Sequence, residues 1–351
     1  RRMMDFAYYR LPDTSEYHII SGEAERISSI DAIAGRSGFV LSPFLAAADH
    51  PVVFIPAMAT DVRPVDASPS SPVGDPATVP TVPTGDDADT PLRAIAAATE
   101  RQAYHHDFAL VHRCLDDGDA DKVVLARRHD LAAGAVVDVE AAFHRACRRY
   151  PHQMIILVST AVSGTWLMAT PEVLVEGRGQ RWRTVALAGT MTTDGPWSAK
   201  NRREQHIVEE YVGDCLHRHA TNIELSAPHT VTAGGLFHIC TDFVFDLPAD
   251  RPALSSLIDD LYPTPAVCGL PKAKARSIIL NSETADRRYY SGFAGPVAIG
   301  GATHLFVSLR CMEVSGRRVS LYAGGGLLSE SREDDEWKET EEKLRTMKDV
   351  L

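Results

Sequence analysis

The sequence predicts an α/β protein of the α+β type, in which a mixed, largely antiparallel sheet system packs against helices. Short β-type runs bounded by Gly, Pro or Ser follow one another through much of the chain. Strands joined by short turns favour antiparallel pairing over a doubly wound parallel sheet. Apolar residues at helical spacing occur in separate segments between these runs. In addition, charged residues inside apolar runs predict a polar pocket within the core.

The first ninety residues contain strand-like pieces and one segment of different composition. Residues 38–41 and 52–55 are short apolar runs typical of strands. Residues 60–91 consist mainly of Pro, Ser, Asp, Gly and Thr. Such a segment cannot bury enough apolar surface to offset the entropy lost on ordering it. We therefore predict a surface loop over 60–91, with the composition of a mobile segment.

From residue 91 onwards, strands and helices are predicted to alternate. Helical spacing begins at 91 and continues to about 115, and two later helices are predicted over 198–212 and 335–347. We interpret residues 1–351 as one domain. The β-type runs in this part of the chain are 154–158, 166–168, 173–175, 184–187 and 319–322.

Composition and charge exclude several classes of protein. Of the 351 residues, 44% are hydrophobic and 24% are charged, as in ordinary soluble globular proteins. The formal net charge of -11 argues against a nucleic-acid-binding surface, because such surfaces concentrate Lys and Arg. The six cysteines form no CxxC pair and are expected to be reduced thiols. No apolar run approaches the roughly 18 residues of a membrane span. The first residues resemble no secretory segment, so we expect a cytoplasmic protein that does not contact membranes.

Three charged residues interrupt apolar runs that otherwise predict buried strands. Lys122 opens one such run, Glu172 interrupts a second, and Arg310 lies near the end of a third. Charges are rarely buried unless they are paired or do chemistry. We therefore predict that these three side chains share one polar pocket inside the core.

Two predicted helices add acidic residues. Glu204 precedes the apolar stripe of the helix at 198–212 by three to four residues, which puts it on the buried face. In the last helix Glu336, Glu339 and Lys343 share one face at positions i, i+3 and i+7. An alternative interpretation of that face is a solvated surface, with one Glu339–Lys343 pair worth about 0.3 kcal/mol.

Eight motifs, in order along the chain, resemble the chorismate-utilising enzymes, and among them most resemble the isochorismate synthases. The resemblance extends from about residue 91 to residue 351, which we interpret as the catalytic part, and is loose before it. It implies a fold of two sheet-and-helix halves, with the active site between them and one bound Mg²⁺. The motifs are KVVLAR at 122–127, TPE at 170–172, LAGT at 187–190, KNRREQH at 200–206, PTPAVCG at 263–269, SLRC at 308–311, AGGGL at 323–327 and EWKET at 336–340.

The resemblance implies roles for the charged residues. Isochorismate synthases add water at C2 of chorismate while the C4 hydroxyl leaves and the double bonds shift, which needs a base for the water and an acid for the leaving group. By resemblance Lys122 is the base and Glu172 is the acid. This requires a neutral amine and a protonated carboxyl in one pocket. Arg310 would bind the enolpyruvyl carboxylate of the substrate, helped by the Tyr290 hydroxyl.

The other residues of the implied site bind the metal ion or surround the substrate. All-oxygen, carboxylate-rich ligation suits Mg²⁺, and Lys343 would meet a substrate carboxylate or balance the acidic cluster. Backbone N–H groups in glycine-rich segments can approach a carboxylate closely. The implied metal ligands are Glu204, Glu336 and Glu339, and the implied substrate-binding residues are Ala188, Gly189, Thr190, Ala266, Val267, Tyr290, Arg310, Gly324, Gly326 and Lys343.

Single positions distinguish members of the family. Ala188 stands where relatives that form a covalent adduct have lysine, and relatives that add ammonia usually lack the equivalent of Lys122. Water is therefore the implied nucleophile, and no glutamine amidotransferase subunit is expected. Salicylate synthase, which goes on to eliminate pyruvate from isochorismate, remains open, as does a non-catalytic chorismate-binding protein. We expect a monomer whose product feeds menaquinone or siderophore biosynthesis.

Three residues depart from the family pattern. Gln205 follows the implied metal ligand where the family usually has His, and Tyr262 replaces the common His before PTPA. Gly325 replaces the usual Ala of the glycine-rich motif. The implied catalytic pair, the metal-binding glutamates and Arg310 are all retained.

Overall fold

The computed structural model describes residues 5–33, 35–65, 93–94, 97–248 and 251–351. Two sheets pack face to face, and helices cover their outer faces. Every strand pairing within these ranges is antiparallel. The predicted α+β class with largely antiparallel sheets is therefore confirmed.

The strands and helices alternate along the chain. The first part contains β1 (Asp5–Arg10), β2 (Glu16–Gly22), β3 (Glu25–Ile27), a 3₁₀ helix (Ile30–Ile33), β4 (Gly38–Ser42), β5 (Val52–Pro56), β6 (Ala59–Pro64), β7 (Arg93–Ala94), α1 (Ala97–Asp116), β8 (Lys122–Ala132), α2 (Val139–Arg149), β9 (Met154–Thr160) and β10 (Gly164–Thr170). The second part contains β11 (Val173–Arg178), β12 (Arg181–Met191), α3 (Ala199–His219), β13 (Thr221–Leu225), β14 (His229–Ala233), β15 (Leu236–Asp246), α4 (Arg251–Leu261), β16 (Gly269–Leu270), α5 (Lys272–Ser282), β17 (Phe293–Val297), β18 (Ala302–Val307), β19 (Cys311–Ser315), β20 (Arg318–Leu327) and α6 (Glu333–Lys348).

Each sheet combines strands from distant parts of the chain. The first sheet has the order β16-β8-β20-β19-β10-β9-β1-β2-β6, with β7 also paired to β8. The second has the order β13-β15-β12-β11-β18-β17-β4-β5-β3, with β14 also paired to β15. Their inner faces share one apolar core, to which the first sheet contributes Trp166 and Tyr322 and the second Leu187 and Phe306. The sheets are therefore held together by a continuous buried layer.

The helices bury apolar faces against the outer sides of the sheets. Helices α1, α2, α5 and α6 contact the first sheet, and α3 and α4 contact the second. Helix α3 begins after Ser198, whose Oγ accepts a hydrogen bond from the backbone N–H of Asn201 at 3.0 Å. Its buried Val208, Val212 and Leu216 pack into the core beneath the second sheet. Burying each such side chain contributes roughly 1.5–3 kcal/mol.

Two of the points at which the chain changes sheets are neighbours in space, and two of the predicted strand charges lie there. Glu172 lies between β10 of the first sheet and β11 of the second, and Arg310 lies between β18 and β19. The crossovers adjoin because the Val307 N–H donates to the Glu172 carbonyl at 2.9 Å and the Ala169 N–H to the Arg310 carbonyl at 3.0 Å. Only Lys122 is in a strand. The strand prediction was wrong for Glu172 and Arg310, because each apolar run spans two strands of different sheets.

The loop predicted over 60–91 needs a correction at its start. Strand β6 pairs residues 59–64 with β2 at the edge of the first sheet. Four of its six residues are exposed and the other two are partly buried, and edge strands tolerate polar residues and Pro. Because residues 60–64 are mostly polar, the sequence predicted a loop where the structure has a strand. Residues 66–92, which contain the rest of the predicted loop, lie outside the described residues, and the predicted helix begins at Ala97.

The other predicted elements agree with the structure, and their ends shift by a few residues. Each predicted β-type run lies within a strand, and the helices predicted over 198–212 and 335–347 are α3 and α6. None of the helices formed by the described residues is both long and apolar enough to cross a membrane.

A buried ion pair closes the free edge of β8. Between its short pairings with β16 and β7, β8 has backbone groups on that edge that pair with no strand of the described residues. Glu283 accepts a hydrogen bond from the Ala126 N–H at 2.8 Å, and Arg287 donates to the Val124 carbonyl at 2.7 Å. Arg287 also donates to the Val267 carbonyl at 2.7 Å and to both carboxylate oxygens of Glu283. This pair therefore takes the place of a neighbouring strand and ties β8 to the turn that contains Val267.

Replacing Arg287 should destabilise the fold much more than replacing an exposed arginine. Arg287→Met leaves the Glu283 carboxylate buried without its partner, which costs about 3–5 kcal/mol. Arg345→Met is the matched control, because the Arg345–Glu342 pair is exposed and worth at most about 1 kcal/mol. Denaturant unfolding measures both free energies. Equal losses in the two variants would contradict this assignment.

Candidate active site

A cavity lies between the two sheets beside the crossovers. Its free volume is about 60 Å³. This is room for a few water molecules, so side chains must move before a larger molecule fits. The residues predicted from the sequence that line the cavity are Glu172, Ala188, Gly189, Thr190, Glu204, Ala266, Val267, Tyr290, Arg310, Gly324, Gly326 and Lys343.

Lys122 is fully buried at the first position of β8 and borders the cavity through Glu204. Its Nζ lies 3.0 Å from Glu204 Oε1. The contact does not align an N–H bond with that oxygen, and Nζ has no hydrogen-bond partner within the described residues. Gly269 of β16 covers the strand so closely that a Cβ there would lie 2.1 Å from the Lys122 carbonyl oxygen. The amine is therefore shielded from water and faces a single carboxylate.

Glu172 is a buried acid in the first crossover, with 3% of its surface exposed. Thr264 Oγ1 donates a hydrogen bond to its Oε1 at 3.5 Å. Burial raises the pKa of the Glu172 carboxyl to about 8, although the Lys122 charge, the Thr264 hydrogen bond and the Lys343 charge favour the ionised form. At neutral pH most Glu172 carboxyls therefore hold a proton that they can donate.

Arg310 is held in the second crossover by His238. Arg310 Nη2 donates to His238 Nε2 at 2.9 Å, and His238 Nδ1 lies 3.0 Å from the Gly189 carbonyl oxygen. Burial, together with the charges of Arg310 and Lys343, lowers the pKa of His238 well below its usual value. The imidazole is therefore neutral, with its proton on Nδ1. Burial also lowers the pKa of Arg310 to about 10, so the guanidinium stays charged at neutral pH.

His238 lines the cavity but was not among the residues predicted from the sequence. It lies in β15 within the segment Leu236-Phe237-His238-Ile239-Cys240. A polar residue in an apolar run is the same signal that identified Lys122. The signal is weaker for histidine, because a neutral imidazole can be buried at lower cost than a charge.

The predicted acidic residues lie together beside the cavity, and each carboxylate has a lysine as partner. Glu336 is 2% exposed, which rules out a solvated surface for this face of α6. The prediction that Glu204 is on the buried face of α3 is confirmed. The pairs are Lys122 Nζ–Glu204 Oε1 at 3.0 Å, Lys200 Nζ–Glu336 Oε1 at 2.5 Å and Lys343 Nζ–Glu339 Oε1 at 2.6 Å.

The two α6 carboxylates differ in their tendency to ionise. Burial and the neighbouring carboxylates Glu339 and Glu204 raise the pKa of Glu336 to about 7, against the opposing charge of Lys200. Burial also disfavours ionisation of Glu339, but the charge and hydrogen bond of Lys343 outweigh it and lower the pKa of Glu339. Lys200 was not predicted from the sequence, because it stands in the polar first turn of α3 and its partner is 136 residues away.

Two glycines of β20 let the strand approach the acidic residues. A Cβ on Gly326 would lie 2.2 Å from Glu204 Oε1 and 2.8 Å from Lys122 Cε. A Cβ on Gly325 would lie 3.0 Å from Glu336 Oε2, so the alanine usual in the family would require that carboxylate to move. The glycine-rich motif therefore makes room for carboxylates.

The carboxylate cluster fits a hard divalent cation. Its donors are carboxylate oxygens, which Mg²⁺ prefers. Glu336 Oε2 is buried and has no hydrogen-bond partner among the described residues. Oxygens of the three carboxylates do not all lie within 4.8 Å of one another. A shared cation would therefore draw them together and displace lysine nitrogens from them.

Two residues that depart from the family pattern hold the backbone around the site in place. Gln205 Nε2 donates to the Ala186 carbonyl at 2.9 Å, and this bond ties α3 to β12. Tyr262 Oη lies 2.9 Å from the Pro43 carbonyl oxygen and 3.1 Å from the Ser291 carbonyl oxygen, and its one proton is shared between them. Both side chains fix the walls of the site through backbone carbonyls.

The sequence and fold are similar to known proteins. Residues 83–351 match the family described as chorismate binding enzyme. The chain is 30% identical to isochorismate synthase EntC of Escherichia coli over 244 residues, which are 66% of this chain and 62% of that protein. It is 28% identical to isochorismate synthase MenF of E. coli over 280 residues, which are 74% of this chain and 64% of that protein. The chain therefore spans less than two thirds of the length of these relatives.

A solved structure has the same fold. The structure of the menaquinone-specific isochorismate synthase MenF from E. coli superposes with a TM-score of 0.81 and 22% identity, covering 100% of this chain and 89% of that one. The predicted two-halved fold of the chorismate-utilising enzymes is therefore confirmed.

Replacing Glu172 by Gln should stabilise the protein at pH 8 and have little effect at pH 5. The folded state holds the Glu172 proton up to about pH 8, whereas the unfolded state releases it near pH 4.5, so this group's contribution to stability falls as the pH rises between these values. Gln does not titrate, so the variant avoids this decrease in the free energy of unfolding. The decrease is on the order of 3 kcal/mol at pH 8. Denaturant unfolding at both pH values measures it.

Glu224→Gln is the control for this test, because Glu224 is exposed and its partner Arg181 keeps its charge at both pH values. A stability difference for Glu172→Gln that is the same at pH 5 and pH 8 would contradict a protonated Glu172.

Proposed function

The chain belongs to the chorismate-binding enzymes, and from this membership we propose that it is a Mg²⁺-dependent isochorismate synthase, an isomerase. Water adds at C2 of chorismate while the C4 hydroxyl leaves and the ring double bonds shift. The observation that carries the proposal is the buried Glu172, whose pKa of about 8 keeps it protonated beside the buried Lys122. A binding protein without chemistry has no need of such an acid.

Lys122 and Glu172 move the two protons of the reaction. In this proposal the neutral Lys122 amine takes a proton from the attacking water as the C2–O bond forms. Glu172 gives its proton to the C4 hydroxyl, which leaves as water. The products are isochorismate, a protonated Lys122 and an ionised Glu172, and one proton returned from the amine to the carboxylate restores the starting state. Once it has taken the proton, Lys122 favours the ionised form of Glu172, and this interaction between the two side chains supports a shared site.

The cationic residues of the site bind the substrate, which is a dianion. Arg310 is the residue proposed for the enolpyruvyl carboxylate, because its guanidinium lines the cavity and His238 fixes its direction. The Tyr290 hydroxyl supports the same carboxylate. Lys343 and the backbone N–H groups of Gly189 and Thr190 surround the rest of the molecule. Ala266 and Val267 form the apolar wall for the ring.

Glu204, Glu336 and Glu339 are the residues that would hold Mg²⁺. Glu336 Oε2 supports this assignment, because it has no hydrogen-bond partner in the part of the chain that the structure describes. When bound, the ion would neutralise the ring carboxylate of the substrate and hold it in place. Lys200 and Lys343 would then be free to balance other charges. The cytoplasmic location, the monomeric state, the absence of an amidotransferase subunit and the supply of menaquinone or siderophore biosynthesis stay predictions.

Incubation with chorismate and Mg²⁺ should yield isochorismate without salicylate or pyruvate. Chromatography of the products over time measures all three compounds. Salicylate and pyruvate in equal amounts would replace the proposal with salicylate synthase. Chorismate that binds and is recovered unchanged would replace it with a binding protein.

The same assay with Lys122→Met should show a loss of turnover of about 10²–10⁴-fold, the usual contribution of a general base. Lys338→Met is the matched control, because Lys338 is an exposed lysine of α6 and its replacement should leave turnover unchanged. Comparable turnover in the Lys122→Met variant and the native protein would remove this lysine as the base.

Replacing Glu339 by Gln should raise the Mg²⁺ concentration needed for half-maximal activity at least about tenfold, because a proposed ligand loses its charge. Glu342→Gln serves as the control, since this glutamate pairs with Arg345 at the surface. Titration of activity with Mg²⁺, starting in chelator, measures the midpoint. Full activity of the native protein in chelator would contradict the metal assignment.

A further inference from the structure

Three side chains of different metal-binding types meet on the second sheet, outside the carboxylate cluster. His229 in β14 pairs directly with Cys240 in β15, and Asp242 follows Cys240 by two positions on the same face of the strand. One ligand atom from each residue lies within 4.8 Å of the other two. Among the described residues, no other set of three His, Cys, Asp or Glu side chains meets this condition.

The distances suit a small tetrahedral cation. His229 Nε2 lies 3.5 Å from Asp242 Oδ2. Nitrogen and oxygen ligands about 2.1 Å from a tetrahedral Zn²⁺ are about 3.4 Å apart. This edge of the site is therefore already at ligand spacing, and Cys240 Sγ lies within 4.8 Å of a ligand atom of each of the other two residues.

Neighbouring groups orient the two polar ligands. His229 Nδ1 lies 3.2 Å from the Ala227 carbonyl oxygen, so a proton on Nδ1 leaves the Nε2 lone pair free for a metal. Arg183 donates to Asp242 Oδ1 through Nη2 at 2.6 Å and Nε at 3.1 Å, which leaves Oδ2 free. Supporting hydrogen bonds of this kind are the usual surroundings of histidine and carboxylate metal ligands.

Charge and access also fit a divalent cation. Arg183 is shared with Glu176, to which its Nη1 donates at 2.7 Å. Burial and the Asp242 charge raise the pKa of the Cys240 thiol to about 12, so its proton leaves when a metal takes its place. The resulting thiolate and the two carboxylates then carry three negative charges, and Arg183 with a divalent cation carries three positive ones. The His229 side chain is 44% exposed, and Cys240 and Arg183 line a cleft of about 760 Å³. An ion can therefore reach the site and keep a position for water.

We propose that His229, Cys240 and Asp242 form a binding site for a thiophilic divalent cation of the Zn²⁺ class, separate from the Mg²⁺ site. A sulfur ligand selects Zn²⁺ over Mg²⁺, which prefers oxygen. Binding replaces the thiol proton by the metal and releases that proton to solvent. The bound ion would link β14 to β15 through side chains in addition to their backbone pairing.

The test is a titration of the protein with Co²⁺. This ion binds at Zn²⁺ sites and, unlike Zn²⁺, its complexes absorb light. One equivalent should produce a near-ultraviolet thiolate-to-cobalt charge-transfer band, and added Zn²⁺ should abolish it. Cys240→Ser and His229→Ala should each lose the band. His206→Ala and Cys114→Ser should keep it, because the exposed His206–Glu210 pair and the partly exposed Cys114 are the comparable groups outside the site.

The readout does not depend on turnover, so it is independent of the isochorismate synthase proposal. Carboxylates alone give no thiolate band, and Co²⁺ bound at Glu204, Glu336 and Glu339 cannot imitate the result. His229 is exposed, so the His229→Ala variant should fold even if the change at buried Cys240 prevents folding. No band in the native protein, or a band that persists in His229→Ala, would overturn the proposal.

Discussion

Three carboxylates and three lysines can lie together beside the cavity because each carboxylate is next to a lysine amine. An ionised group withdrawn from water costs several kcal/mol unless it is paired. Glu204, Glu336 and Glu339 each have a lysine nitrogen within 3.0 Å. Glu172 has no partner this close and meets the same constraint by keeping its proton. Pairing and protonation therefore let acidic and basic groups stay buried in reach of a ligand.

This environment lies where the chain crosses from one sheet to the other. The crossovers that contain Glu172 and Arg310 are joined by backbone hydrogen bonds, so the acid and the guanidinium are fixed relative to each other. Glu283 and Arg287 close the edge of β8, the strand that begins with Lys122. The candidate site therefore rests on backbone geometry from both sheets.

Much of this arrangement could be predicted from the sequence, because charge inside an apolar run is a local signal. Lys122, Glu172 and Arg310 were identified in this way, and helical spacing placed Glu204 on a buried face. Glu336 was assigned to the site through the family resemblance. Two of the three lysine partners could not be predicted, since Lys122 meets Glu204 and Lys200 meets Glu336 only through the fold. Strand β6 was missed because an edge strand can be polar, and the crossovers were missed because composition does not record a change of sheet.

The pairing of three carboxylates with three lysines has a consequence for the order of occupation. When all six are ionised their charges cancel, and a divalent cation alone would add two positive charges to a largely buried space that also contains Arg310. A doubly negative ligand would offset the charge of that cation. When the cation and the ligand bind together, their charges cancel. By thermodynamic linkage each therefore raises the affinity for the other, so saturation with one should lower the Kd of the other.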